Sequence, residues 1–304
     1  MSFQQDPEPV RIPGAPAETA AESASVFQRH GRYFEDNRFV YPVVSRRSRG
    51  LSIGINLNPD KICNFDCIYC QVNRRTEAET RFVEIDQLLD ELRKVLQLAV
   101  SGEIYSSPRF QQTPLHLRRL NDLAFSGDGE PTTFVNFDEI LERTAELRTT
   151  LAPADTKMVL ITNASMFHRE HVRRGLRTLD RNNGQIWAKL DAGTEEYYKL
   201  IERTTIPFQR ILDNIANAAR ERPLVIQSLF MNVDRVPPTD TEISAFCDRL
   251  NEVQSSGGKI EFVQIYTVAR PPAESFVSAL TEDQLNDIAK MVRTRCSLTA
   301  LVFP

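Results

Sequence analysis

Leu51-Ser-Ile-Gly-Ile-Asn-Leu57, followed by Asn58-Pro-Asp-Lys-Ile-Cys63-Asn-Phe-Asp-Cys67-Ile-Tyr-Cys70, is the stretch from which the rest of the chain can be organised. Its first seven residues read as a strand, and the turn at Asn58-Pro59 delivers three cysteines in a C-x3-C-x2-C spacing. Three thiolates packed this closely are a ligand set. A 4Fe–4S cubane normally takes four cysteines. With three, one iron keeps an open coordination position, as catalytic metal sites do and structural ones do not. Two other readings stand beside this one. Zinc needs a fourth ligand, usually Cys or His in a second paired motif. The next histidine is His116, and Cys247 and Cys296 stand alone. Three cysteines can also be core residues, since free Cys is often buried. Disulfides are disfavoured by an odd total of five cysteines and by the lack of a secretory pattern.

Working outward, strand-like and helix-like stretches alternate from about residue 38. Strands are expected at 51–57, 122–126, 158–162, 185–191, 224–230, 259–266 and 298–303. Amphipathic helices are expected at 84–98, 137–151, 194–203, 208–220, 239–253 and 281–295. In the first helix Ile85, Leu88, Leu89, Leu92, Val95 and Leu96 recur at the i, i+3, i+4, i+7 spacing of one helical face. Strands alternating with helices imply βαβ units and a parallel sheet. Six or seven units give an α/β fold of the partial (βα)6 TIM-barrel type, whose chemistry sits at the C-terminal ends of its strands. Residues 1–30, rich in Pro, Ala, Glu and Gln, read as a disordered lead. Residues 31–304 are expected to form a single barrel domain.

Composition narrows the setting. The 304 residues are 41% hydrophobic and 26% charged, an ordinary globular balance, and the net charge of −4 supplies no global footprint for nucleic acid. No run is long and apolar enough for a membrane, and the N-terminus lacks the basic-then-apolar pattern of a signal peptide. A cytoplasmic, reducing location and no membrane partner are therefore expected. Basic runs at Arg46-Arg47-Ser48-Arg49 and from His168 to Arg181 read first as solvated faces.

The first four and the sixth expected strands end in polar motifs. The second is followed by Gly127-Asp128-Gly129-Glu130-Pro131, where glycines permit close backbone approach and an acceptor-only carboxylate is oriented by proline. Alone, such a loop usually marks a turn. The third ends in Thr162-Asn163-Ala164, where Asn163 could simply cap the following helix. On the fourth, Trp187, Lys189 and Asp191 share one face. That face suits a barrel lumen, with Lys189 either meeting a substrate carboxylate or pairing with Asp191. On the sixth, Phe262, Gln264 and Tyr266 share a face ending near Arg270-Pro271-Pro272. Gln264, Tyr266 and Arg270 are thus candidate substrate contacts, although Tyr on a strand is more often core.

The cysteine spacing, with Tyr69 just before the third thiol, and the glycine–glutamate loop some sixty residues later resemble the radical S-adenosylmethionine (SAM) superfamily. The resemblance implies that Cys63, Cys67 and Cys70 hold a 4Fe–4S cluster whose open iron chelates the amine and carboxylate of SAM. It implies that Gly127, Asp128, Gly129, Glu130 and Pro131 bind the amino end of SAM, and that Tyr69, Thr162, Asn163 and Asp191 belong to the cofactor site. The sequence departs from the common pattern at Asp128 and Ala164, both glycine in the usual form, and at Lys189, often serine. The stretches Tyr41–Leu57, Lys61–Gln71, Ser126–Thr132, Lys189–Thr194 and Tyr266–Pro272 further resemble the wyosine-synthase-like group, whose best-known members rebuild a guanine in transfer RNA with a two-carbon unit from pyruvate. Those members carry a second cluster on additional N-terminal cysteines. No cysteine precedes Cys63 here and the net charge is acidic, which argues against the full wyosine reaction, and one cluster is expected.

The resemblance implies that flavodoxin or ferredoxin supplies an electron. SAM is then cleaved to methionine and a 5′-deoxyadenosyl radical that abstracts hydrogen from substrate. Two substrate classes follow. One is a transfer-RNA base, with Arg46, Arg47, Arg49, Arg173, Arg174 and Arg177 as a phosphate-binding rim. The other is a small metabolite or peptide anchored by Lys189, Gln264 and Arg270. A third reading, of another class, is a non-catalytic iron–sulfur electron carrier or zinc protein; the glycine–glutamate loop speaks against it.

Overall fold

The computed structural model describes residues 34–74, 76–78, 80–270, 272 and 274–304. The expected disordered lead at 1–30 lies outside the described residues, as does Pro271 of the Pro-Pro turn. The strands are β1 Val40–Ser45, β2 Gly50–Ile55, β3 Leu120–Phe125, β4 Lys157–Thr162, β5 Gly184–Lys189, β6 Leu224–Leu229, β7 Met231–Val233, β8 Ile260–Tyr266, β9 Val277–Ala279 and β10 Ala300–Phe303. The helices are α1 Ile85–Ser101, α2 Phe137–Leu151, α3 Glu170–Arg181, α4 Glu195–Glu202, α5 Phe208–Glu221, α6 Asp240–Ser255 and α7 Glu282–Cys296. All seven expected strands are present, with ends shifted by two residues or fewer.

Eight strands hydrogen-bond in the order β1-β2-β3-β4-β5-β6-β8-β10, and β7 pairs with β9 separately. Every neighbouring pair in the large sheet is parallel except β1–β2, which is antiparallel. From β2 to β8 a helix follows each strand of this sheet, giving six βα units, and the sheet curls into a half-barrel. Its two faces bury different things. The helix side carries the large core, including Leu51, Ile53, Ile55, Leu123, Phe125 and Leu160. The concave side carries only Ala124, Val159, Trp187 and Val225, with Ile161 and Phe262 against them. Alternation along each strand therefore assigns even-numbered β3 positions and odd-numbered β5 positions to the lumen.

Local chemistry explains the element ends. Thr194, Thr239 and Thr281 accept hydrogen bonds from Tyr197, Glu242 and Gln284 at their helix starts. Each supplies an acceptor for an amide that lacks an intrahelical partner. Four elements went unseen in the sequence. β1 contains Pro42 and is an edge strand, where a missing N–H is tolerated. Its entrance is held by the buried Glu91 of α1, whose carboxylate accepts from the amides of Arg38, Phe39 and Val40 at 3.1, 2.8 and 3.1 Å. α3 was hidden inside a basic run because its buried stripe is short: Val172, Leu176 and Leu179 beside Gly175 and Thr178. β7 and β9 are three residues each, too short for a period to register.

Candidate metal and cofactor site

The cysteine loop leaves β2 at the C-terminal end of the parallel strands and is pinned to the end of α4. The amides of Asp66 and Ile68 donate to the carbonyls of Glu202 and Ile201, at 3.1 and 2.9 Å, satisfying acceptors that a helix C-terminus leaves open. Opposite it lies the loop after β3, and Asn56 holds the two together. Its Oδ1 accepts from the amides of Asn58 and Asp128 at 3.0 and 3.1 Å, while its Nδ2 donates to Asp128 Oδ2 at 2.7 Å. This contact explains the glycines. A Cβ at Gly127 would lie 2.2 Å from Asn56 Oδ1, and one at Gly129 would lie 2.2 Å from the carbonyl of Ile62. Only glycine lets the two loops approach this closely.

Glu130 is 3% exposed, and its carboxylate is already engaged. Oε1 accepts from the Thr132 amide and hydroxyl and from the Thr162 hydroxyl, and Oε2 accepts from the Asn163 amide at 2.7 Å. Burial pushes its pKa above the ordinary glutamate value, and the donors from Thr132, Thr162 and Asn163 pull it back. The carboxylate thus ties the β3 loop to the end of β4. Pro131 begins the buried 3-10 turn that carries Thr132 and sits behind the cavity wall. Asn163 does not cap α3, whose N-cap is Arg169. Instead its Oδ1 accepts from the Ser165 amide at 3.0 Å and its Nδ2 donates to Asn64 Oδ1 at 2.8 Å, reaching the cysteine loop.

The fourth strand end supplies a buried charge network. Lys189 Nζ lies 3.0 Å from Asp191 Oδ2 and donates to the Tyr266 hydroxyl at 3.0 Å. Burial disfavours its charge, but Asp191, then Tyr266 and Glu202, outweigh that and hold the ammonium well above the usual lysine range. Asp191 also accepts from the Leu229 amide at 2.7 Å and from the Tyr69 hydroxyl. Burial, then Asp191, drives the Tyr69 pKa well up, so the phenol remains a donor. Below it Gln227 Nε2 donates to Gln264 Oε1 at 2.8 Å. Arg270 lines the same cavity, and its carbonyl accepts from Gln71 at 3.2 Å.

Sequence reasoning missed several participants. Glu202, on an amphipathic helix of unremarkable pattern, accepts from Cys67 Sγ at 2.7 Å and from the Tyr69 hydroxyl at 3.2 Å. Burial, then Asp191, pushes its carboxyl up to about 8. Asn56 and Asn58 stand in plain view beside Pro59, but nothing in the sequence marks them as loop staples. Arg47 had been grouped with an outer rim. The structure places its guanidinium inside the half-barrel, 5.5 and 5.2 Å from the ring centroids of Trp187 and Tyr266. Two other arginines of that group are ion-paired at the surface: Arg174 with Asp138 at 2.7 Å and Arg177 with Glu170 at 3.3 Å.

The three thiols are free and half-buried. Cys67 and Cys70 line the cavity, of about 290 Å³, while Cys63 stands beside it. Among the described residues no three His, Cys, Asp or Glu side chains are drawn into a preformed cage. The donor chemistry nevertheless fits a thiophilic cluster. Burial raises the Cys63 thiol to about 11, and burial, then Glu202, raises Cys67 well above the ordinary thiol value, so these sulfurs favour the protonated form until a metal displaces the proton. The wall carries the cations Arg46, Arg47, Arg74, Lys189 and Arg270 against the carboxylates of Asp128 and Glu130.

A family model described as the Radical SAM superfamily matches residues 57–234, more than half of the chain. A UPF0026 protein of Methanocaldococcus jannaschii is 27% identical over 241 residues, covering 78% of this chain and 65% of that protein. A protein named GTPase Obg from Brachyspira hyodysenteriae is 23% identical over 263 residues, 84% of this chain but 34% of that protein. The chain therefore spans only about a third of one of these relatives and just under two thirds of the other. Among solved structures, TYW1 with a lysine–pyruvate adduct bound superposes with a TM-score of 0.51 at 13% identity, covering 91% of this chain and 82% of that one. Streptococcus suis SuiB bound to S-adenosylmethionine gives a TM-score of 0.50 at 12% identity, over 84% of this chain and 48% of that one. At these identities the two structures speak for the fold. Among the described residues no helix is long and apolar enough to cross a membrane.

Proposed function

This chain belongs to the Radical SAM superfamily, and from that premise we propose that it is an enzyme that cleaves SAM reductively to begin hydrogen abstraction from a substrate in the half-barrel. One observation carries the reading: three free cysteines on the β2 loop meet, through glycine-only contacts, the Gly127–Glu130 loop at the mouth of the strands. Cys63, Cys67 and Cys70 would hold a 4Fe–4S cluster. When bound, the cluster and SAM supply an electron-driven carbon–sulfur cleavage that yields a 5′-deoxyadenosyl radical. The chain's own residues do the rest. The loop from Gly127 to Gly129 forms the cavity wall for the amino end of SAM. Glu130 fixes that loop against Thr162 and Asn163 and has little acceptor capacity left for an ammonium of its own. Asp191 orients Lys189 and Tyr69 while staying bound to the Leu229 amide. Tyr266 and Arg270 bound the substrate space, whereas Gln264, expected there from the sequence, lies buried behind Gln227 and is held by it. The electron would come from flavodoxin or ferredoxin.

Anaerobic reconstitution with iron and sulfide, followed by SAM and dithionite, tests the proposal through 5′-deoxyadenosine measured by mass spectrometry. Product that depends on reductant and vanishes in Cys63→Ala, Cys67→Ala and Cys70→Ala is the expected result. A single-cysteine variant with wild-type cleavage overturns it.

For the substrate, the transfer-RNA base reading rests on likeness to the wyosine-synthase-like group. The small-molecule reading is favoured by the placement of Arg47 within the lumen. An electrophoretic shift with bulk transfer RNA across a salt series separates them, because phosphate contacts weaken steeply with salt.

A further inference from the structure

The lumen of this acidic chain is cationic. Of its lining cations, Lys189 is neutralised by Asp191, whereas Arg47 makes no ion pair or hydrogen bond to any described residue. Its guanidinium lies against two aromatic rings, Trp187 on β5 and Tyr266 on β8. Stacking of this kind orients the planar group without consuming its five N–H donors. Arg46 next to it is lowered in pKa by burial and then by Arg47, a strain that a nearby anion would relieve. The carboxyl facing Arg47 is Asp122. It is 3% exposed and accepts from Ser52; burial raises its pKa, while Ser52 and Ser48 and then Arg47 and Lys157 pull it back, and no hydrogen bond joins it to Arg47.

We propose that Arg47 is an anion anchor at the floor of the half-barrel, and that the substrate is a small molecule carrying a carboxylate or phosphate held there. The proposal rests on the reading of the lumen as a substrate cavity. The cavity of about 290 Å³ also takes in the cysteine and glycine loops assigned to the cluster and SAM, so the space left beside Arg47 is that of a small ligand, below the roughly 300 to 1,000 Å³ of ordinary small-molecule pockets. A planar guanidinium presents paired donors that match both carboxylate and phosphate, whereas the Lys189 ammonium above it is already committed to Asp191 and Tyr266.

The molecule contains its own reporter, because Trp187 is the sole tryptophan of the sequence. Cluster-loaded protein is titrated with inorganic phosphate, pyruvate and succinate while Trp187 fluorescence is recorded, with sodium chloride at matched ionic strength as the reference. At least one of the three should give a saturable change that chloride does not reproduce. Saturation by phosphate alone assigns a phosphoryl substrate, and saturation by the carboxylates assigns an acid. Arg47→Gln should weaken that binding about tenfold or more, the loss of a charge-assisted pair. Arg47→Lys should recover part of it, and Arg220→Gln on an outer helix should change nothing. Iron content and melting temperature certify that each variant is folded. If no anion binds the wild type, or Arg47→Gln binds as tightly, the anchor is refuted even where 5′-deoxyadenosine is formed. If the cluster and SAM cleavage are absent while Arg47-dependent anion binding persists, the radical reading fails and the anion site stands.

Discussion

Replacing Glu130 by glutamine preserves shape while removing charge and one acceptor, and the structure sets the size of the effect. Two of the four donors on the carboxylate are backbone amides, Thr132 at 3.2 Å on Oε1 and Asn163 at 2.7 Å on Oε2. The threonine hydroxyls can rotate and accept from a new NH2, but the amides cannot. Whichever way the glutamine is turned, one buried N–H meets its NH2 donor to donor, a loss of about 1–3 kcal/mol. The surviving bonds fall from charge-assisted to neutral, roughly halving in strength and removing about 1–2 kcal/mol more. Some is regained, because burying an ionised carboxylate is costly, as its raised pKa records. The expected net is about 2–4 kcal/mol, or a melting point lower by roughly 4–8 °C for a chain of this size. Urea and thermal denaturation measure the stability, and calorimetry with SAM on the iron-loaded variant measures the site. We expect iron content near wild type with SAM affinity reduced about tenfold, since a loosened β3 loop loses about 1.4 kcal/mol of binding. A variant with unchanged melting point and unchanged SAM affinity would refute the clamp.

Three further outcomes are expected. Gly129→Ala drives a methyl into the Ile62 carbonyl and should lower the iron taken up under fixed reconstitution conditions; undiminished uptake at wild-type stability would contradict the loop contact. Glu91→Ala strips the acceptor from three β1-entry amides and should cost about 2–4 kcal/mol in urea unfolding; a loss under about 0.5 kcal/mol would mean those amides find other partners. Asp122 has a folded pKa raised by burial, so its stabilising contribution is complete below the unfolded value of about 4 and is lost as pH rises through the folded one. Asp122→Asn removes that loss, and its stability relative to wild type should therefore grow as pH rises from about 4 towards 7. A difference that is flat across that range, or that shrinks, would show that the carboxyl is not strained by burial.

The parallel strands were legible because buried strands read as apolar runs and most end in a polar motif, so pattern and chemistry mark the same place twice. The helices were legible where a wide apolar stripe faces the sheet, as in α1. They were not where the stripe is three residues within a basic run, as in α3. The site divided in the same way. Cysteine and glycine–glutamate motifs are local and could be seen. Glu202 and Arg47 act through long-range placement: Glu202 lies 135 positions from Cys67, and Arg47 reaches two rings on other strands. No local spacing encodes such contacts, and a charged residue read locally defaults to the surface.

The three departures from the common superfamily pattern share a physical logic. Asp128 stands where glycine is usual, and Asn56 receives both its amide and its carboxylate, at 3.1 and 2.7 Å. Ala164 stands where glycine is usual and adopts φ of 60°, a left-handed conformation that costs a non-glycine residue roughly 1–2 kcal/mol. Its methyl is fully buried, which returns about 0.8 kcal/mol, and alanine saves roughly 0.4–1 kcal/mol of unfolded-chain entropy relative to glycine. The conformation is held from both sides, by Thr162 Oγ1 accepting from its amide at 3.0 Å and by Asn214 donating to its carbonyl at 2.8 Å. Lys189 replaces a small hydroxyl and is accommodated by Asp191 with the rings of Tyr69 and Tyr266. In each case a partner elsewhere in this chain absorbs the larger residue. The departures therefore leave the cysteine loop and glycine loop in contact; Asp128 and Lys189 line the cavity and alter its charge and bulk, while Ala164 lies behind it in the core. Under the proposed function, Asp128 and Lys189 would then bear on the choice of substrate, while the retained cysteines and glycines would bear on the chemistry.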